Sequence, residues 1–246
     1  PFAERYRPFR TTSLAGILGT RLIAYTPMLG LDSLAGRQDV ASGLQLMGTL
    51  GYDLDASRDD GKDGKEPFGI LDLYLGRAKS TWLTALALAV EGQRAEDGWA
   101  DVVANGRLAW YAKAGERRTH EASLEYMGAW QTRRPYRIVL SSRRGGVRGY
   151  AGSQAAGGRR MVLRLEERFA AGGFGRMVGF GAAAFTDLGK LWAGDVPYGE
   201  TTSVRASLGT ALLVAVPRRS QSAYRVEAAA RLTKDQDADK WNLRIV

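Results

Sequence analysis

The chain has 246 residues, 45% of them hydrophobic, and its 35 lysines and arginines against 26 acidic residues give a net charge of +9. Cysteine is absent and histidine occurs once, as His120, which excludes disulfide scaffolds, zinc fingers and thiol nucleophiles and makes any histidine-based triad or metal cluster depend on that one residue. No run of about 18 apolar residues exists, which excludes a transmembrane helix, but strands that cross a membrane need only about 9–11 residues each.

Residues 1–11 form a lead-in, and after it alternation of apolar and polar residues with a period of two recurs along the chain. Residues 201–216 show the pattern well, because their even positions are mostly apolar and their odd positions are mostly small or charged. Such alternation predicts strands with one apolar face. Twelve segments carry it, at residues 12–25, 40–54, 67–78, 81–92, 99–112, 117–130, 135–141, 159–169, 175–187, 201–216, 222–232 and 239–246.

Turn sequences separate these segments, so the chain is predicted to be all-β, with about twelve antiparallel strands in up-and-down order over a single domain, residues 1–246. Aromatic residues lie on the apolar faces at or near the predicted strand ends: Trp82, Trp110, Trp130, Tyr136, Phe169, Tyr224 and Trp241. This position is typical of the aromatic belts of a membrane-spanning β-barrel, whose interior is polar. A soluble β-sandwich with core aromatics, which binds an acidic partner, stays open as the alternative.

The segment RRGGVRGY, residues 143–150, lies in a long predicted loop, residues 142–158. Gly145, Gly146 and Gly149 allow its backbone conformations that other residues rarely adopt, so the loop can enter a narrow space. The guanidinium group of Arg148 offers a planar fork of donors that suits a carboxylate. By itself the segment leaves two interpretations open: a loop arginine that pairs with a carboxylate, or one that is solvated.

Three motifs follow one another here: VRGY at residues 147–150, MVLRLEERF at residues 161–169, and GFGAAAFTDLGKLW at residues 179–192. In this order they resemble the C-terminal part of the outer-membrane assembly and translocation β-barrel superfamily. That superfamily includes the insertase that folds outer-membrane proteins, the transporters of two-partner secretion and the bacterial surface antigen family. The resemblance covers residues 136–192 closely, and residues 1–135 match only as generic barrel strands.

The resemblance implies that the long extracellular loop, with its tip Val147, Arg148, Gly149 and Tyr150, folds back into the barrel lumen. It also implies a latch in which Arg148 pairs with Asp187, assisted by Glu166. Alternation independently assigns both carboxylates to the charged faces of their strands. Further charged side chains are expected to line the lumen and to set its selectivity without catalysis: Arg164, Arg205, Arg225 and Glu227.

The function that the resemblance implies is insertion of polypeptides into the outer membrane of a Gram-negative cell, or translocation across it. We expect outer-membrane lipid, lipopolysaccharide, a polypeptide substrate and periplasmic modules or chaperones as partners. Because the basic residues are scattered singly, we expect no nucleic acid. No catalytic, cofactor-binding or metal-binding set is predicted, so the chain is not expected to be an enzyme. A passive pore, or a membrane anchor for a separate passenger domain, stays open.

The chain departs from the superfamily in three respects. Typical members have sixteen strands, so the twelve predicted strands correspond to the last twelve. Members usually carry periplasmic polypeptide-binding modules, and none fits before Thr11. The C-terminal WNLRIV lacks the usual terminal aromatic residue. We therefore expect either an N-terminally trimmed chain or a compact variant.

Overall fold

A computed structural model describes residues 10–57, 66–133, 136–234 and 239–246 of the chain, so most of the predicted lead-in lies outside the described residues. The described residues are all-β apart from one 3-10 turn, Ser142–Arg144. The strands are β1 (Arg10–Leu29), β2 (Arg37–Ser57), β3 (Pro67–Lys79), β4 (Trp82–Ala95), β5 (Gly98–Ala114), β6 (Arg118–Trp130), β7 (Ile138–Val139), β8 (Ala156–Gly157), β9 (Arg159–Phe174), β10 (Val178–Trp192), β11 (Arg205–Ala215), β12 (Tyr224–Arg231) and β13 (Trp241–Ile245).

Eleven of these strands form one antiparallel sheet in the order β1-β2-β3-β4-β5-β6-β9-β10-β11-β12-β13. The prediction of an all-β, up-and-down sheet is therefore confirmed, and the sheet of the described residues has eleven strands where about twelve were predicted. The segment that accounts for the difference is 135–141. Only Ile138 and Val139 pair there, as β7 with β8, whereas β6 pairs directly with β9. Tyr136 consequently packs inside the loop and is not at the end of a sheet strand.

The ten connections of the sheet fall at two ends. At one, which we call the short-turn end, the chain turns at residues 30–36, 80–81, 115–117, 175–177 and 216–223. At the other, the loop end, one strand ends and the next begins at Ser57 and Pro67, Ala95 and Gly98, Trp130 and Arg159, Trp192 and Arg205, and Arg231 and Trp241. The longest connection, 131–158, is therefore at the loop end, and it joins β6 to β9.

The sheet curls, so that one face is enclosed and the other is exposed. At the short-turn end, Gln221 in the turn after β11 donates a hydrogen bond to the backbone oxygen of Arg37 at the start of β2, over 3.1 Å. Alternation along each strand then separates an inner face from an outer face. On β9, for example, Glu166 and Arg168 are buried on the inner face while Leu165 and Phe169 are exposed on the outer one.

Leucines dominate the outer face. Eight of them are directly paired across eight neighbouring strands in one unbroken row: Leu22, Leu44, Leu75, Leu86, Leu108, Leu124, Leu163 and Leu188. Leu22, Leu75 and Leu108 in this row are exposed by 69%, 52% and 46%. A contiguous exposed apolar surface of this extent is unusual on a monomeric soluble protein, whose exposed apolar residues are scattered.

The two edges of the sheet are β1 and β13. Both run from the loop end to the short-turn end, and within the described residues they do not pair with each other. The described residues therefore form a curled sheet, and the closed barrel stays a prediction. No helix among the described residues is long and apolar enough to cross a membrane.

Candidate functional site

The loop of residues 131–158 is fixed to the sheet at both of its ends. At its beginning, Arg133 donates two hydrogen bonds of 2.7 Å to the carboxylate of Glu66 and two, of 2.6 and 3.0 Å, to that of Asp101. At its end, the backbone N–H of Gly158 donates to the backbone oxygens of Trp192 and Ala193. Between these points the described part of the loop packs against the inner face of β9 and β10.

A hydrophobic cluster holds the middle of the loop against that inner face. Five of its buried residues come from the loop and two, Val162 and Leu191, come from β9 and β10. The loop members are Ile138, Leu140, Val147, Tyr150 and Ala155. Burial of each large apolar side chain contributes about 1.5–3 kcal/mol, so this cluster by itself favours the inward position of the loop.

The tip of the loop is closely fitted to the sheet. Gly149 has a φ of +87°, which strongly favours glycine, and a Cβ there would lie 3.5 Å from Ser207 on β11. The hydroxyl of Tyr150 lies 3.0 Å from the backbone oxygens of Ala206 and Thr233 and 2.7 Å from Thr233 Oγ1. The tip therefore contacts β11 and the connection that follows β12.

Arg148 makes the most concentrated polar contact of the loop. Its backbone N–H and Nε donate to Asp187 Oδ2 over 3.0 and 2.9 Å, and Nη2 donates to Asp187 Oδ1 over 2.7 Å. Nη1 donates to Glu166 Oε2 over 2.7 Å. The structure thus places the three predicted latch residues in direct contact, with Asp187 fully buried.

Neighbouring inner-face positions of β10 complete the seat of the tip. Phe185 lies under Arg148, with 3.6 Å between its ring centroid and the guanidinium carbon. Gly189 faces Val147, because a Cβ at Gly189 would overlap a methyl group of Val147. Residues 185, 187 and 189 alternate with outer-face residues, so a single strand supplies the ring, the carboxylate and the space that the tip occupies.

The charges around Arg148 form a wider network across the inner face. Arg225 donates to both carboxylate oxygens of Glu166, over 2.7 and 2.6 Å, and it also pairs with Glu227. Glu227 in turn accepts from Arg244 over 2.7 Å and lies 3.6 Å from Arg148. Every charge named here has an opposite charge beside it, which is what makes burial of so many ionised groups tolerable.

Two other predicted lumenal residues have different positions. Arg164 is on the inner face of β9, where it donates to the backbone oxygens of Gly145 and Gly146 and pairs with Glu125 over 2.9 Å. It therefore also holds the loop. Arg205 begins β11 opposite Gly189 and is half-buried.

The network leaves a polar cavity of about 350 Å³ beside the loop. Arg148, Arg164, Arg225 and Arg244 line it together with Glu121, Glu166 and Glu227. The guanidinium of Arg148 stays charged here: burial lowers its pKa, but hydrogen bonds and charge attraction from Asp187 and Glu166 outweigh burial and raise it above the ordinary arginine value. The contact therefore persists across the pH range in which the carboxylates are ionised.

Among the described residues, no group of three or more histidine, cysteine, aspartate or glutamate side chains is arranged to hold a metal ion. Comparison with family models, with curated proteins and with solved structures finds no match to this chain. What the arrangement can do is hold a loop inside the curled sheet, or release it when the ion pairs are exchanged for water.

Several residues of the site were not predicted from the sequence. Phe185 and Gly189 share the face of Asp187, so alternation along β10 contained a signal for both, although an aromatic residue and a glycine carry no charge to mark them. Arg168 also shares the face of Glu166. Thr233, the partner of Tyr150, is 83 residues away in the chain, and no local pattern indicates that contact.

We expect Gly189→Ala to displace the loop tip. Its new Cβ would overlap Val147 and come within 3.2 Å of Leu140, and overpacking of this kind costs about 1–3 kcal/mol. The free energy of unfolding, measured with guanidinium chloride, should fall by that amount. Gly48→Ala is the matched control, because the nearest atom to its new Cβ is 3.9 Å away.

Val147→Ala removes the methyl group with which that Cβ collides. Gly189→Ala should therefore lower the free energy of unfolding less in the Val147→Ala protein than in the unmodified protein. Equal stability of the Gly189→Ala and Gly48→Ala proteins would contradict the fit between Gly189 and the tip.

Proposed function

We propose that this chain forms the wall of a β-barrel in the outer membrane of a Gram-negative cell and acts in insertion or translocation of polypeptides. The observation that carries the proposal is the contact of Arg148 with Asp187 and Glu166, which fixes a loop on the inner face of the sheet. Arg148 acts as a latch: the loop occupies the interior while the ion pairs hold and vacates it when they separate. The resemblance of residues 136–192 to the superfamily named above agrees with this role.

The outer face supports the membrane location. Aromatic residues accompany the leucine row at both ends of the sheet, for example Trp99 at the loop end of β5 and Trp110 near its short-turn end, exposed by 53% and 43%. Eleven positions separate them, which at about 3.3 Å per residue and a tilt of about 40° is a height of about 28 Å. The apolar band of an outer-membrane barrel has about this height.

The two ends of the sheet support an orientation. Outer-membrane barrels have short turns on the periplasmic side and longer loops on the outside. The connection that carries Arg148, residues 131–158, is at the loop end. In this orientation the loop enters the lumen from the outside of the cell, and lipopolysaccharide surrounds the end where it enters.

The edges of the sheet support a polypeptide as the substrate. β1 and β13 run in the same direction, so one strand running oppositely would pair antiparallel with both and complete a twelve-stranded barrel. Leu14, Ile17, Leu18 and Leu22 on β1 are all exposed by more than two-thirds. A strand of an incoming polypeptide is the occupant that such an edge recruits through backbone hydrogen bonds.

The test uses protein that is reconstituted into vesicles of phosphatidylethanolamine and phosphatidylglycerol. We expect a faster-migrating band on gels when the sample is not boiled, and faster folding of an added, urea-unfolded outer-membrane barrel than in vesicles that contain a passive porin. Folding no faster than with the porin, together with ion conductance, would instead favour a passive pore. Absence of a heat-dependent band shift would contradict the barrel.

A further inference from the structure

A second segment also occupies the inner face, at the opposite end of the sheet from the Arg148 loop. Residues 30–36 connect β1 and β2, and we call them the crossing turn. Internal bonds make the turn compact: Gly30 N–H donates to the backbone oxygen of Gly36, and Gly36 N–H donates to Ser33 Oγ, both over 2.9 Å. Gly30 has a φ of +62°, a conformation that glycine adopts without strain.

The crossing turn is buried although it connects strands of an exposed edge. Leu31, Ser33 and Leu34 are exposed by only 4%, 4% and 6%. Turns between antiparallel strands normally project into solvent. These three side chains are buried because the turn folds inward, beneath the curl of the sheet.

Two strands of the far wall hold the backbone of the turn. Thr119 on β6 donates its hydroxyl to the backbone oxygen of Gly30 over 2.9 Å, and Lys113 on β5 donates to that same hydroxyl. Arg168 on β9 donates to the backbone oxygen of Leu31. Arg168 is itself buried and pairs with Glu121.

The side chain of Leu34 extends further across the interior. It packs in a cluster with Ala183 on β10 and with Ala211 and Leu213 on β11. Gly181 on β10 leaves the space for it, because a Cβ there would overlap a methyl group of Leu34. The turn that begins at β1 and β2 therefore touches β6, β9, β10 and β11, so it crosses the interior at the short-turn end.

One ion pair connects the crossing turn to the Arg148 loop. Nε of Arg168, which holds Leu31, lies 2.9 Å from Oε1 of Glu166. The other carboxylate oxygen of Glu166 accepts from Arg148. Glu166 therefore lies between the arginine of the loop and the arginine that holds the turn.

We propose that the crossing turn is a second internal plug, which closes the short-turn end of the interior, and that Glu166 couples it to the Arg148 loop. The proposal that the crossing turn plugs a pore rests on the proposed function. With a plug at each end, current flows only when both are displaced. Loss of the contact between Glu166 and Arg168 loosens the turn, and loss of the contact between Glu166 and Arg148 loosens the loop.

The coupling is tested in detergent, without a bilayer. The chain has no native cysteine, so Leu34→Cys introduces a single reactive thiol at the buried contact of the turn. In this background, Glu166→Gln should raise the rate of labelling by a maleimide about tenfold, because it removes the negative charge that pairs with Arg168 and so weakens one buried ion pair. Glu227→Gln is the matched control, because Glu227 is equally buried and pairs with Arg148 and Arg225 but its ion pairs do not include Arg168. Equal labelling rates in the two variants would overturn the coupling.

The plug is tested by conductance in planar bilayers. One variant replaces residues 30–36 by Asn-Gly, which suits a two-residue hairpin between the paired Leu29 and Arg37. We expect a small rise in conductance for this variant, a small rise for Arg148→Ala, and a several-fold larger rise when the two are combined. Full opening by Arg148→Ala alone would overturn the plug. If no variant conducts, the proposed pore is wrong and so is the plug, while the labelling rates still decide whether Glu166 couples the two segments.

Discussion

Replacing Arg148 by alanine is expected to expose the internal loop about a hundredfold more often. The substitution leaves Asp187 buried without its partner, and breaking a buried ion pair in this way costs about 3–5 kcal/mol. Displacement of the loop admits water to Asp187 and removes this penalty, so the free energy of opening falls by a similar amount. Since each 1.4 kcal/mol is a factor of ten, the opening equilibrium shifts by at least about two orders of magnitude.

The labelling rate of a thiol inside the loop measures this opening. Ala155→Cys places the thiol in the loop's hydrophobic cluster, at a residue exposed by 7%. Arg143→Ala is the matched control, because it removes the same charge from an exposed position in the same loop. Similar labelling rates for the Arg148→Ala and Arg143→Ala proteins would contradict the latch.

Removing both partners distinguishes the ion pair from the packing around it. In an Arg148→Met/Asp187→Leu protein no charge of this pair is left buried, and replacing both members of a buried pair by apolar residues is often close to neutral. The hydrophobic cluster around Leu140, Val147 and Tyr150 remains. We therefore expect the thiol at residue 155 to be labelled more slowly in the double variant than in the Arg148→Ala protein. Only Arg148→Ala leaves Asp187 with an uncompensated charge, which opens the loop, whereas the cluster that holds the loop inward is present in both.

Alternation of side chains predicted the fold class and the positions of eleven strands because the pleat is a local property of the backbone. It could not distinguish a strand of the sheet from another extended segment. Residues 138–140 are extended and alternate as a strand does, but their backbone bonds go to the loop, where Leu140 N–H donates to the oxygen of Ala155. The partner of an extended segment is set by tertiary structure, which its own sequence does not contain.

Part of the site was predicted from the sequence. Whether a residue could be predicted depends on whether its signal is local in the sequence. Asp187 and Glu166 follow from a motif and from the face of a strand, which are local in sequence. The interaction of Arg168 with Leu31 joins residues 137 positions apart, and no pattern in either segment indicates it. The position of the crossing turn depends on the curl of the sheet, which places Leu31 against Arg168 of β9.

The net charge of the chain also does not indicate the balance of charges in its interior. The sequence carries +9, yet the ion pairs around the loop join five arginines to five carboxylates: Arg148, Arg164, Arg168, Arg225 and Arg244 with Glu121, Glu125, Glu166, Asp187 and Glu227. In such a set each buried charge has an opposite charge beside it, so removal of a single partner is costly. This balance of charges indicates a structural contact that opens as a unit. It argues against a lining that selects ions by their charge.

Leu124→Arg decides whether the outer face contacts lipid. Leu124 is in the leucine row between Leu108 and Leu163, and it is six positions from Trp130 at the loop end of β6. At the middle of a bilayer an arginine on the lipid face of a barrel costs about 2–4 kcal/mol. On a water-exposed surface the same substitution changes the free energy of unfolding by less than about 0.5 kcal/mol.

The measurement is urea unfolding of protein reconstituted in lipid vesicles, with Ala114→Arg as the matched control. Ala114 is exposed and ends β5 opposite Arg118, at the height where a barrel meets the lipid headgroups and an arginine costs only about 0–1 kcal/mol. Leu124→Arg should therefore lower the free energy of unfolding by at least about 1 kcal/mol more than Ala114→Arg does. If both variants unfold at the urea concentration of the unmodified protein, the leucine row faces water. The membrane location would then be wrong, whereas the position of the Arg148 loop on the inner face would be unaffected.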